Sequence, residues 1–113
     1  MSTIARPNPV SRLVDAGDGL AINVFPEGSS CVVHVSGELD LATSDSLFIA
    51  AAAGGHPSVV IDLTELTFMD CGGYRCLMAC RHAIGRRGGT LAIRGQRGEP
   101  ARLMDLIREL EAR

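Results

Sequence analysis

The chain of 113 residues has no lysine and no tryptophan, and aromatic residues make up only 4% of it. Without lysine there is no Schiff-base chemistry and no P-loop cation for a nucleotide phosphate. Gly85-Arg-Arg-Gly-Gly89 does not replace that loop, because it lacks the spacing and follows a helical pattern instead of a strand. All eleven cations are arginines, and against thirteen carboxylates they leave a net charge of −2. That balance supplies no field to gather nucleic-acid phosphates, so no nucleic-acid role is expected. Long apolar runs are missing as well. Residues 1–12 hold no stretch of the ~7–15 apolar residues that a signal peptide needs, and no segment nears the ~20 residues of a membrane span. A cytoplasmic chain without membrane insertion is expected. There is also no CxxC pair: four residues separate Cys71 from Cys76, three separate Cys76 from Cys80, and Cys31 stands apart. Free thiols are therefore expected, with no metal site. His34, His56 and His82 share no spacing with acids or thiols that suggests a triad or a metal centre. No catalytic residue, no cofactor and no enzymatic activity are expected.

What is present is a compact-protein composition, 46% hydrophobic and 21% charged with a mean hydropathy of +0.18, enough for one domain with its own core. Pro7, Pro9, Gly17 and Gly19 mark residues 1–19 as a partly ordered lead-in to a domain over 20–113. Alternating apolar residues predict strands over 20–25 and 31–36, joined as a hairpin by Pro26-Glu-Gly-Ser-Ser30. Thr43 or Ser44 caps a helix with Leu47, Phe48 and Ala51 at helical spacing, ended by Gly54-Gly55. Val59-Val-Ile-Asp-Leu63 reads as the central strand and Thr64–Asp70 as a connector. A helix over 71–86 then carries the stripe Gly73, Leu77, Cys80 and Ile84, with Arg75, His82 and Arg86 opposite. Gly88-Gly89 stops it, a strand covers 90–94, and a last helix starts near Pro100 with Leu103, Leu106, Ile107 and Leu110 as its buried stripe. The order β-β-α-β-α-β-α predicts an α/β fold whose mixed sheet has helices on one face or both.

The segment Phe68-Met-Asp-Cys-Gly-Gly73 is the chemically loaded corner, where a strand ends, two glycines permit close approach and a helix N-terminus begins. An acid or a phosphate is favoured there, and a thiol at that point is a candidate for reactivity. The alternative is that Asp70 only caps the helix and Cys71 packs as a small hydrophobe. Cys76 and Cys80, at i and i+4, share a side of the helix and suit core packing better than a disulfide. Arg75, Arg81, Arg86 and Arg87 with His82 make the helix basic, either toward an acidic partner or as a solvated face.

Two segments carry a resemblance. Val33-His-Val-Ser-Gly-Glu-Leu-Asp-Leu-Ala-Thr43, and Val60-Ile-Asp-Leu-Thr-Glu-Leu-Thr-Phe-Met-Asp70 followed by Gly72-Gly73, resemble the STAS domain of bacterial anti-sigma factor antagonists. The resemblance runs from about Leu20 to Leu110. It implies a single STAS-like domain with a mixed sheet of four to five strands and helices mainly on one face. It further implies a non-enzymatic binding module that captures an anti-sigma factor, often a GHKL-type serine kinase, and so frees a sigma factor. By the same resemblance Asp40, Leu41 and Thr43 lie beside the Asp70 corner and join Gly73, Tyr74 and Arg75 in the partner surface. The family motif runs Asp-Ser-Ser/Thr-Gly-Leu, with a hydroxyl that the kinase phosphorylates. Here Cys71 and Gly72 hold the hydroxyl positions and Tyr74 replaces leucine, so the phosphate switch, about −1.5 to −2 charges at a helix N-terminus, has no acceptor at that place. The chain is then always competent to bind, or answers another signal, or serves another partner. A related class of single STAS subunits binds the ATPase of a lipid-transporting ABC complex, with a motif that can read Asp-Thr-Gly-Gly, closer to Asp70-Cys-Gly-Gly73. Weak self-association through a sheet edge is also left open. A thiol enzyme acting through Cys71 lacks a base and a resolving cysteine in sequence. If oxidation replaces phosphorylation, mild peroxide adds oxygen to the Cys71 peptide of the folded protein, read by mass spectrometry. An unmodified peptide leaves Cys71 as an unregulated replacement for serine.

Overall fold

The computed structural model describes residues 12–15 and 19–112, with the backbone alone for 12–15. Its elements are β1 (Arg12–Asp15), β2 (Leu20–Glu27), β3 (Ser30–Leu39), α1 (Ser44–Ala52), β4 (Ser58–Met69), α2 (Cys71–Arg86), β5 (Thr90–Arg94) and α3 (Gly98–Glu111). One sheet holds the strands in the order β1-β2-β3-β4-β5. The first three are antiparallel neighbours, whereas β4 and β5 run parallel to β3. From Leu20 onward the expected β-β-α-β-α-β-α order and mixed sheet are present. Arg12–Asp15 adds a fifth strand against Ala21–Val24, and most of the rest of the lead-in over 1–19 lies outside the described residues.

The hairpin turn is tighter than predicted. Only Gly28 and Ser29 lie between the paired residues Glu27 and Ser30, and Gly28 alone has positive φ, +63°, which suits the first central position of a type II′ turn. Pro26 stands within β2, opposite Cys31 and one pair in from the turn. In a two-residue hairpin that pair is not hydrogen-bonded, so the missing proline N–H removes no bond to β3.

Period-2 alternation sends Leu20, Ile22 and Val24, Cys31, Val33 and Val35, and Val59, Ile61 and Leu63 to one face of the sheet. The registers Ile22↔Val35, Val33↔Ile61 and Val59↔Leu91 set these side chains side by side. They share one core with Leu47 and Ala51 of α1, Leu77, Cys80 and Ile84 of α2, and Met104 of α3, so the helices cover a single face. The opposite face carries the half-buried Phe25, Val32 and Val60, next to a polar row in which Asn23, His34, Asp62 and Arg94 are paired strand to strand.

Three expectations need correction. The segment read as a connector, Thr64–Met69, continues β4, because two register shifts each insert an extra β4 residue opposite β3. His34 pairs with Asp62 but Ser36 with Glu65, and Gly37 pairs with Leu66 but Glu38 with Phe68. These bulges break the alternation that marks a strand in sequence while leaving the strand paired. Gly37 serves the bend, with φ +98° and a position where a Cβ would run into the Gly19 carbonyl. In α1 the buried residues are Leu47, Ala50 and Ala51, and Phe48 is exposed. In α3 the buried residues are Pro100 and Met104, whereas Leu106 and Leu110, expected inside, are exposed. At about 100° per residue these two leucines stand roughly 100–140° round the helix from the Pro100–Met104 line.

The polar row contains one tightly held acid. Asp62 Oδ1 accepts from the Thr64 N–H at 2.9 Å and from its hydroxyl at 2.6 Å, and Oδ2 accepts from Arg94 Nε at 3.4 Å. Burial raises the Asp62 carboxyl, but these hydrogen bonds and the guanidinium charge outweigh it and hold the group below the usual aspartate value. A depressed folded pKa contributes stability above the unfolded value, about 3.9, and that contribution disappears as pH falls through the folded value. Urea midpoints of wild type and Asp62→Asn are therefore expected to converge as pH drops below about 4, with the wild type the more stable at neutral pH. A gap that is unchanged at low pH would contradict this account.

Candidate functional site

The corner between β4 and α2 is built by one carboxylate and two glycines. Asp70 is extended, at φ −105° and ψ −174°, and occupies the N-cap of α2. Its Oδ1 accepts the Gly73 N–H at 2.8 Å, satisfying a donor that the first helical turn leaves open. Its own N–H donates to the Leu39 carbonyl at 3.3 Å, tying the corner to the end of β3. Gly73 is buried there, and an added Cβ would stand 2.5 Å from that same carbonyl and 2.9 Å from Met69 Cγ. Glycine is required at 73 by space. Position 72 is less confined, its nearest neighbours being Asp70 Oδ1 and Leu41 Cα and Cβ at 3.3 Å.

The loop between β3 and α1 is held by a reciprocal pair. Thr43 Oγ1 accepts the Asp40 N–H at 3.0 Å, and Asp40 Oδ1 accepts the Thr43 N–H at 3.1 Å. The single hydroxyl proton of Thr43 has the Glu38 carbonyl and Asp40 Oδ1 within reach, each at 3.2 Å. Thr43 holds the N-cap position of α1, yet its side chain makes no capping bond to the helix, because the hydroxyl is turned to Asp40. The residue that joins the two loops is Ser44, which residue order alone marks only as a cap. Its Oγ donates to the Asp40 carbonyl at 2.6 Å and also lies 3.4 Å from the Gly72 carbonyl. Beneath it the Cys76 thiol donates to the Ser44 carbonyl at 3.2 Å. A hydroxyl residue opening a helix is the only sequence signal for this link, and it is ambiguous with capping.

The structure thus brings together the residues expected from the Asp40 segment and the Asp70 segment, in two layers. Thr43, 1% exposed, and Gly73 lie beneath the surface and shape it. Leu41, 79% exposed, with Cys71 and Arg75 stands at the surface, and Asp40, Asp70, Gly72 and Tyr74 are partly covered. Tyr74 packs against the core where the resemblance implies leucine. Phe48 on α1 and Phe68 near the end of β4 add exposed aromatic surface. Cys76 and Cys80 are buried free thiols, as core packing predicts. Cys76 is lowered chiefly by the hydrogen bond from Cys80, while the Cys80 thiol is pushed up by Cys76 and by burial, so Cys80 stays protonated. Of the basic residues on and after α2, Arg87 is committed internally. It donates to the carbonyls of Ala52 at 2.6 Å and His56 at 2.9 Å, fastening the end of α1. Arg75, Arg81 and Arg86 are exposed. Among the described residues no group of three or more potential metal ligands occurs, and no helix is long and apolar enough to cross a membrane.

A family model described as "Mlab, STAS domain" matches residues 23–109. No curated protein matches. Among solved structures, an anti-sigma factor antagonist from Mycobacterium paratuberculosis is 28% identical with a TM-score of 0.66, the match covering 88% of this chain and 86% of that one. A STAS-domain antisigma-factor antagonist from Rhodobacter sphaeroides is 19% identical with a TM-score of 0.60, covering 68% and 87%. Mglu is 18% identical with a TM-score of 0.61 over 67% of this chain, which spans only 20% of the length of that protein. The last two likenesses are likenesses of fold.

The two adjacent glycines are expected to respond differently to the same methyl group. Gly73→Ala should destabilise by roughly 1–3 kcal/mol, because Leu39 and Met69 must move to admit it. Gly72→Ala should cost less than about 1 kcal/mol, since the contacts at 3.3 Å relax with small shifts. Chemical denaturation of both variants checks the ranking, and equal losses would refute it.

Proposed function

The chain is a member of the STAS domain family, and on that premise we propose that it is a non-enzymatic regulatory module, an antagonist that binds an anti-sigma factor and so releases a sigma factor, acting in the cytoplasm. The observation that carries this reading is the corner itself: Leu41, Cys71 and Arg75 exposed on a base of short hydrogen bonds among Asp40, Thr43, Ser44, Asp70 and Gly73. An arginine on a fixed base is the kind of residue that anchors protein partners, and the exposed leucine beside it adds apolar contact area. The likeness to the antagonist from Mycobacterium paratuberculosis, which extends over most of both chains, supports it.

The positions equivalent to the family's phosphoacceptor, Cys71 and Gly72, have no hydroxyl, so a partner kinase of the GHKL type would find no acceptor there. In this reading the module stays competent to bind unless another chemistry acts, and the exposed thiol of Cys71 is the group open to one. A second reading, an accessory subunit that binds the ATPase of a lipid-transporting ABC complex, draws on the Gly72-Gly73 pair. Gly73 is common to both motifs, so what favours this reading is Gly72, which stands where the antagonist motif carries a hydroxyl residue.

Affinity purification of the tagged protein from its own host under reducing conditions, with mass spectrometry of the co-purifying chains, decides between them. An anti-sigma factor is the expected capture, and an ABC ATPase in its place would overturn the leading reading in favour of the second. With the partner in hand, Leu41→Asp is expected to weaken binding at least about tenfold while leaving the fold intact, since Leu41 is almost fully exposed.

A further inference from the structure

The stripe on α3 that sequence periodicity assigns to the core is instead largely on the surface. Leu106 is 53% and Leu110 57% exposed, and Leu103 and Ile107, one turn away on the sheet side, are only partly buried. Single exposed leucines are ordinary, but four apolar residues at i, i+3, i+4 and i+7 form a continuous seam of the spacing that helices use to pair.

The charges beside the seam say what kind of surface it fits. Arg102 and Glu109 flank its outer edge, both exposed and seven residues apart, about 10.5 Å along the helix axis. Among the described residues neither has an ion pair, whereas Asp105 and Arg108, farther round the helix on the same side, pair with each other at 3.2 Å. A positive group at one end and a negative group at the other end of one edge are complementary to the same edge turned end for end. A twofold axis passing near Leu106 does this: it sets Arg102 opposite Glu109 of a second copy, Leu103 beside Leu110 of that copy, and Leu106 against itself. Such an interface is isologous, and an antiparallel helix pair brings like edges together in this way.

We propose that α3 is a self-association surface, through which two copies of this chain pair antiparallel by the leucine seam, with reciprocal Arg102–Glu109 ion pairs at its edge. The occupant is a second copy because the charge pattern is self-complementary, and the proposal does not depend on which partner the Asp70 corner binds.

Sedimentation velocity of the full chain over a concentration series tests it. The wild type is expected to pass from monomer to dimer as concentration rises, and Leu106→Asp, a change at an exposed site, to abolish the dimer. Arg102→Glu should weaken it several-fold, and the double variant Arg102→Glu/Glu109→Arg should restore it. In a Cys71→Ser background, Leu106→Cys should form an intermolecular disulfide under mild oxidant. A wild type that stays monomeric at every concentration would overturn the proposal and leave the seam to a different protein. A dimer that survives Leu106→Asp, or a charge swap that fails to restore association, would equally overturn it by assigning the contact to another surface such as the β5 edge.

Discussion

The carbonyl group of Leu39 is the point on which the geometry of the site depends. It accepts the Asp70 N–H, and it is the atom closest to the place where a side chain at position 73 would start. Because residue 73 is glycine, the first turn of α2 lies directly on the end of β3. That contact sets where Gly72 presents its carbonyl, which sets where Ser44 can bridge, which in turn fixes the loop that displays Leu41. The Asp70 carboxylate adds a capping bond worth about 1 kcal/mol to a helix start already positioned by close packing. Two bulges upstream, with Gly37 at the bend, carry β3 and β4 together as far as Leu39 and Met69, so that the two loops emerge side by side.

How far the sequence reveals this depends on whether the relevant physics is local. The helix over 71–86 is legible because its stripe has a clean period and because Asp70 and Gly88-Gly89 punctuate it. The hairpin and β5 are legible for the same kind of reason. Thr64–Met69 is not, since a bulged strand forfeits the alternation by which strands are recognised, and its pairing is decided by β3, some thirty residues away in sequence. The stripe of α3 has the right period, but how far the helix is rotated on the sheet is a tertiary outcome, fixed by the burial of Pro100 and Met104. At the site, the Asp70 cap is readable from residue order alone. The role of Ser44 is not, because it rests on a contact with residue 72, twenty-eight positions on. The pairing of Asp40 with Thr43 is local and within reach of turn chemistry, but the burial of Thr43, which makes it a support rather than a contact, is visible only in the fold.

The division between support and display explains how the corner accommodates its unusual residues. Cys71 and Tyr74 stand where the family motif carries a hydroxyl and a leucine, yet neither changes the framework: the capping bond uses the carboxylate of Asp70 and the backbone N–H of Gly73. Residue 71 faces solvent, and the tyrosine ring finds room against the core. The residues that the geometry constrains most, Asp70 and Gly73, are those in which this chain agrees with the motif. Where the geometry is permissive, the chain departs from it.

With the Asp40–Thr43 pair, the Ser44 bridge and the Asp70 cap already formed in the free chain, the backbone beneath Leu41 and Cys71 has little conformational freedom left to lose. If the corner binds a partner as proposed, docking there resembles the meeting of two preformed surfaces more than the folding of a loop around a ligand. Association then carries little ordering entropy, and differences in lifetime among complexes fall on the few exposed side chains and not on the framework.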